Sequence, residues 1–231
     1  MNSRKKNARV AGAIYFLLVI TGVFSIMYVP ATLIEFGDAG ATAKNILSRE
    51  WLYRLGIFVG LLSNIIFAVL GVALFRLFRE IDEGQAFLML VLVVMSATAG
   101  FVNVFNQLAA LIFLSDAEFL AAIDKPQLEA LAYAFIRLDG HATNALELFW
   151  GLWLLPFGLL VYRSRFIPKF FGVLLIIACV GYVLSSFMSI VLPQQKAMIS
   201  TIITVLTVGE LPIILWLLIV GAREGVEHQA S

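Results

Sequence analysis

The apolar residues of this chain come in runs of about twenty, separated by short polar stretches. That spacing limits its fold more than any motif does. A helix of about 20 residues crosses the roughly 30 Å hydrocarbon core of a bilayer. Runs of this length occupy residues 10–29, 55–75, 86–114, 142–162, 170–192 and 199–220, and none shows strand-like alternation. In lipid the backbone must bond to itself, which leaves helices or closed barrels. The expected fold is therefore all-α: a polytopic membrane bundle of six transmembrane helices, with residues 1–231 as one integral membrane domain. Composition agrees, at 61% hydrophobic and 13% charged, against about 25% charged in soluble domains. A net charge of +1 offers no basic field for nucleic acid. The single cysteine, Cys179, excludes an internal disulfide and a Cys-based zinc site.

Orientation follows from lysine and arginine near the span ends. One side collects Arg4, Lys5, Lys6, Arg9, Arg76, Arg79, Arg163, Arg165, Lys169 and Arg223; the other holds Lys44, Arg49, Arg54, Lys125, Arg137 and Lys196. The richer side is expected in the cytoplasm, which gives an N-in, C-in topology. The first run follows a basic stretch but is longer than a signal h-region, so it reads as a retained helix. His228 is expected on an exposed, frayed C-terminal tail.

Two larger outer loops are expected to hold short interfacial helices. In 31–54, Asp38 is a good N-cap for a helix lying at the membrane surface, with Trp51 and Tyr53 at headgroup depth. In 115–141, Asp116 is expected to cap 117–123 and Pro126 to open a second segment. Leu128, Leu131, Ala132, Phe135 and Leu138 form its apolar stripe, and Gly140 is placed to break or kink the chain before the fourth span. Pro30 is expected to end the first span and Pro193 the fifth. Gly56 and Gly60, four apart, suit a close helix–helix approach.

Polar side chains within spans carry the functional information, because an acid at the bilayer centre costs about 2.5–3.5 kcal/mol on insertion scales. Glu210 lies midway along the sixth run, between Gly209 and the helix-breaking Pro212. His141, Asn144 and Glu147 share an arc of about 120° on the fourth helix. Asn103, Asn106 and Gln107 share a face of the third. Asn64 lies in the second span and Arg54 at its end. Most of these fall in one half of the bilayer, so the expectation is an outward-opening polar pocket. Its ligand-binding residues would be Glu210, Glu147, His141, Asn144, Asn103, Gln107, Asn64 and Arg54.

A metal reading, with Asp139 as a further ligand, is weak, because there is one candidate histidine and no His-x-x-x-His. There is no Gly-rich phosphate loop and no Gly-x-Ser-x-Gly, and no cofactor is expected. Ser185, Ser186 and Ser189 suit hydrogen bonds to their own helix better than nucleophilic chemistry.

The order Ala8-Arg9-Val10-Ala11-Gly12-Ala13-Ile14-Tyr15, then Tyr162 to Lys169, Gly172 to Leu175, Gly181-Tyr182, Gly209-Glu210-Leu211 and Trp216-Leu217 resembles the bacterial membrane family known as domain of unknown function 4386. Arg165 and Lys169 depart from that pattern, where a small residue and an arginine are expected. The resemblance implies a six-helix bacterial inner-membrane protein and supplies no substrate and no catalytic residues. The residues favour a non-enzymatic protein that contacts membrane lipids and binds or transports a small polar or cationic ligand. The competing classes are an intramembrane enzyme acting on lipid, with a buried acid and with His141 or Glu147 as its base, and a structural or sensory subunit.

Overall fold

The computed structural model describes residues 3–223, and His228 lies outside them. Helices dominate, with no strand among the described residues, and six are long and apolar enough to cross a membrane: Ser3–Leu33, Glu50–Phe78, Glu83–Phe113, Lys125–Arg163, Lys169–Val191 and Pro193–Ile219. Each outlasts its apolar run at one end or both, because a helix need not stop where hydrocarbon does. Large apolar side chains such as Phe58, Phe105, Val180 and Val205 are more than half exposed. A water-soluble surface does not display apolar residues so continuously, and lipid is the solvent that accepts them. The chain is a multi-pass integral membrane protein.

Proline placement explains most departures from straight helix. Pro30 does not end the first span, as its sequence position suggests. The chain widens into a π-helical turn, Val23–Tyr28, and resumes as helix through Leu33. The Val29 N–H bonds to Phe24 O, five residues back, and a widened turn accommodates the ring that would otherwise clash with the preceding turn. The fourth span breaks at Trp153, ahead of Pro156. The sixth tightens to a 3₁₀ turn, Val208–Glu210, before Pro212.

Gly140 does not break the fourth helix, which runs unbroken from Lys125 to Leu152. Glycine costs only about 1 kcal/mol in a helix, and burial of Ala132 and Ile136 on the same helix outweighs that. Its start is capped by Asp124, whose Oδ1 accepts from Gln127 N at 3.1 Å. Asp116 caps nothing comparable, since the segment after it forms only the 3₁₀ turn Glu118–Leu120. The surface helix Ala39–Ser48 forms as expected, with Asp38 Oδ1 accepting from Ala41 N at 2.8 Å. Trp51 is exposed, but Tyr53 is a core residue at 6% exposure rather than an interfacial anchor.

The packing resolves into two compact units. One comprises Met1–Leu18, Ile66–Ala97 and Asn144–Ser231; the other comprises Val19–Ile65 and Thr98–Thr143. In the first, Tyr15, Phe67 and Phe157 surround Trp153, with ring centroids 5.4–5.8 Å from its own. Gly158 and Gly172 let the fourth and fifth helices touch backbone to backbone: a Cβ on Gly172 would sit 2.6 Å from Gly158 O. Gly12 likewise admits the backbone of Leu218. One end of this unit is tied by polar contacts. Arg4 pairs with Glu80 at 2.9 Å, Arg163 pairs with Asp82, and Arg9 donates to Ile219 O at 2.8 Å. The second unit has its own core of Val29, Leu33, Ile46, Ile57, Val104 and Ile136. There Gly56 gives room to Val29, and Gly60 faces Ser25.

Candidate functional site

In the first unit the polar centre is Glu210. It closes the 3₁₀ turn and precedes the half-helix Leu211–Ile219, so it sits where the sixth span is irregular. Two phenols hold its carboxyl. Tyr15 Oη donates to Oε1, and Tyr182 Oη donates to Oε2 at 3.1 Å. Tyr15 is 1% exposed, whereas Glu210 and Tyr182 are partly exposed. A buried tyrosine hydroxyl needs a partner, and a carboxyl in hydrocarbon needs donors; each supplies the other's need. Gly209 allows this turn to lie against the fifth helix, where a Cβ would meet Leu174 O at 3.0 Å.

Glu147 lies in the same unit. Ser185 and Lys196 are its polar neighbours, and Tyr182 lies within its electrostatic reach. Its Oε2 is buried and has no hydrogen-bond partner among the described residues. Lys196 Nζ donates to Asn144 Oδ1 at 3.1 Å, so Asn144 and Glu147, one turn apart on the fourth helix, both face this lysine.

The second unit holds a different cluster, centred on Asp139. Asn103 Nδ2 donates to Asp139 Oδ1 at 2.8 Å, and Gln107 Nε2 donates to Oδ1 and Oδ2 at 3.1 and 3.2 Å. Asn106 Nδ2 donates to Asn103 Oδ1 at 2.9 Å, and Thr143 Oγ1 to Asp139 O at 2.9 Å. Among the described residues, the side chains that bond to the Asp139 carboxyl are the amide donors of Asn103 and Gln107. Beside it lies a small cleft whose polar lining is Ser25, Tyr53, Gln107 and Asp139. Its interior has room for about one water molecule.

The eight candidate residues thus belong to two units. Glu210, Glu147 and Asn144 lie in the first; Asn103, Gln107, Asn64, Arg54 and His141 lie in the second. Asn103 and Gln107 converge on one carboxyl. Asn64 bonds instead to its own helix, donating to Gly60 O at 2.9 Å, and packs on Gly100. Arg54 is exposed and pairs with Glu50 at 2.6 Å, one turn away. His141 is exposed.

Sequence reasoning missed Tyr15, Tyr182 and Lys196 as site residues and did not place Asp139 at the centre of a cluster. The first two were detectable as amphipathic rings in the middle of apolar runs. Asp139 was obscured because 115–141 reads as a loop, whereas helix continuity puts it one turn before Thr143.

Residues 10–221 match the family described as Domain of unknown function (DUF4386). No curated protein and no solved structure shows a match.

Proposed function

The chain belongs to the DUF4386 family, whose description assigns no activity, and on that premise we propose that this six-span membrane protein binds or transports a small polar or cationic ligand, with Glu210 as its binding acid. The carrying observation is the position of that acid at an irregular turn of a spanning helix, held by two tyrosine hydroxyls. Irregular backbone at membrane depth is tolerated where protein or a polar cavity satisfies it, and broken helices are a common way to build midplane ligand sites. A cationic group offers Glu210 the charge partner that two neutral phenols do not. Glu147 and Asn144 belong to the same unit and extend the polar lining toward Lys196.

The larger set of lysines and arginines, Arg4, Lys5, Lys6 and Arg9 with Arg76, Arg79, Arg163, Arg165, Lys169 and Arg223, supports cytoplasmic ends, in a bacterial inner membrane. Cysteine-accessibility labelling at Ser3 and at Ser48 in intact cells tests this: the proposal expects labelling at Ser48 only.

The ligand proposal is tested on purified protein by thermal unfolding with primary amines, quaternary ammonium ions and guanidinium salts. At least one is expected to stabilise the wild type and to lose that effect in Glu210→Gln. No stabilisation of the wild type, or an unchanged effect in the variant, rejects the reading.

A further inference from the structure

In the second unit, the π-helical turn of the first span changes which carbonyls find donors. Ser25 O has two regular donors available to it in a helix, four or five residues ahead. Val29 N–H turns to Phe24 O instead, and residue 30 is a proline with no N–H. Neither of these two donors therefore serves the Ser25 carbonyl, which lies inside a membrane span, where water is scarce and an unmet polar group is costly. Ser25 lines the cleft beside Asp139. Its own hydroxyl donates to Thr21 O at 2.9 Å, so its Oγ keeps acceptor capacity. Gln107 commits its NH₂ group to Asp139 and retains Oε1 as an acceptor. Tyr53, which donates to Gln107 O at 3.4 Å, adds a phenol oxygen.

We propose that this cleft is a binding site for a dehydrated monovalent inorganic cation, sodium by preference, formed by the Asp139 carboxylate with oxygens of Ser25 and Gln107. The donor set is all oxygen, the set hard cations take. One carboxylate borders the cleft, so a single positive charge is neutralised, whereas a divalent ion would keep net charge in a low-dielectric setting. The room is that of about one water, which excludes organic cations. Asn103 and Gln107 are positioning residues for the carboxylate. The site rests on residues of the second unit alone and stands or falls independently of Glu210.

The test is thermal unfolding of the full-length protein in nanodiscs, in sodium, potassium, choline or calcium chloride at matched ionic strength. Sodium is expected to raise Tm over choline by about 5 °C at saturation. Asp139→Asn is expected to abolish this increment. Pro30→Ala returns a donor to the Ser25 carbonyl without touching the charge and is expected to shrink it, which keeps the test open if Asp139→Asn does not fold. Equal Tm in sodium and choline overturns the proposal. So does an increment that survives Asp139→Asn, or a larger shift with calcium than with sodium.

Discussion

The first and sixth spans are both broken two residues ahead of a proline, yet in opposite ways. Before Pro30 the turn widens; before Pro212 it tightens. In the first span the wide turn carries Val29 into the space beside Gly56, where a Cβ would be 2.9 Å from its side chain, and it turns the Val29 N–H away from the carbonyl of Ser25. In the sixth span the narrow turn lets Gly209 approach Leu174 O and sets Glu210 at the head of the next half-helix, between two tyrosines. Proline's missing N–H dictates a break; the neighbouring helix decides its sense. One break takes from Ser25 O its two regular helix donors, and the other installs an acid that already has donors.

Steric wedges test what clamps each break and give the largest effect. Gly12→Leu places a Cβ where Leu218 N lies 2.4 Å away. Neither backbone can yield cheaply, so a loss above about 4 kcal/mol is expected, seen as aggregation on size exclusion. Gly60→Ala, with Ser25 Cβ at 3.7 Å, makes an ordinary contact and is expected to leave a monodisperse peak. If both variants behave alike, the two breaks are not held differently.

Removing the donors at Glu210 comes next. Tyr15→Phe and Tyr182→Phe should each cost about 1–3 kcal/mol, the range for an acceptor left unmet. In a double-mutant cycle with Glu210→Leu the costs should shrink, because the acceptor is gone. Additive losses in chemical unfolding would mean that the hydroxyls act elsewhere. Smaller still are the prolines themselves. Pro30→Ala should stabilise, by returning a donor to Ser25 O, and Pro212→Ala should destabilise slightly, because proline is favoured in the first turn of the half-helix. Both changes are expected within about 1 kcal/mol, and equal signs would erase the contrast. Arg54→Ala and His141→Ala, both exposed, should change stability by no more than about 0.5 kcal/mol. A larger effect on Tm would return them to the site.

The legible part of the candidate site was its cost. Glu210 stood out because it is the one charged side chain in the sixth run, and Pro212 beside it announced the irregular turn. Asn103 and Gln107 were legible as one face by helical spacing. Their target was not, because Asp139 sits three residues outside the apolar run where the fourth span was expected to begin. The tyrosines were hidden by their double nature: in a run such as Ala13-Ile14-Tyr15-Phe16-Leu17, a phenol passes as one more apolar ring until the hydroxyl's partner is known.

By itself the sequence determined the solvent and the count of spans, because hydrocarbon admits only segments whose backbone bonds are internal and whose side chains are apolar. It also determined where prolines interrupt those segments. Only the tertiary structure decided whether each interruption opens or tightens, and which carboxyl each amide and phenol serves. Those choices depend on backbones brought within contact at Gly12, Gly158 and Gly209, between residues whose distance along the chain carries no record of their distance in space.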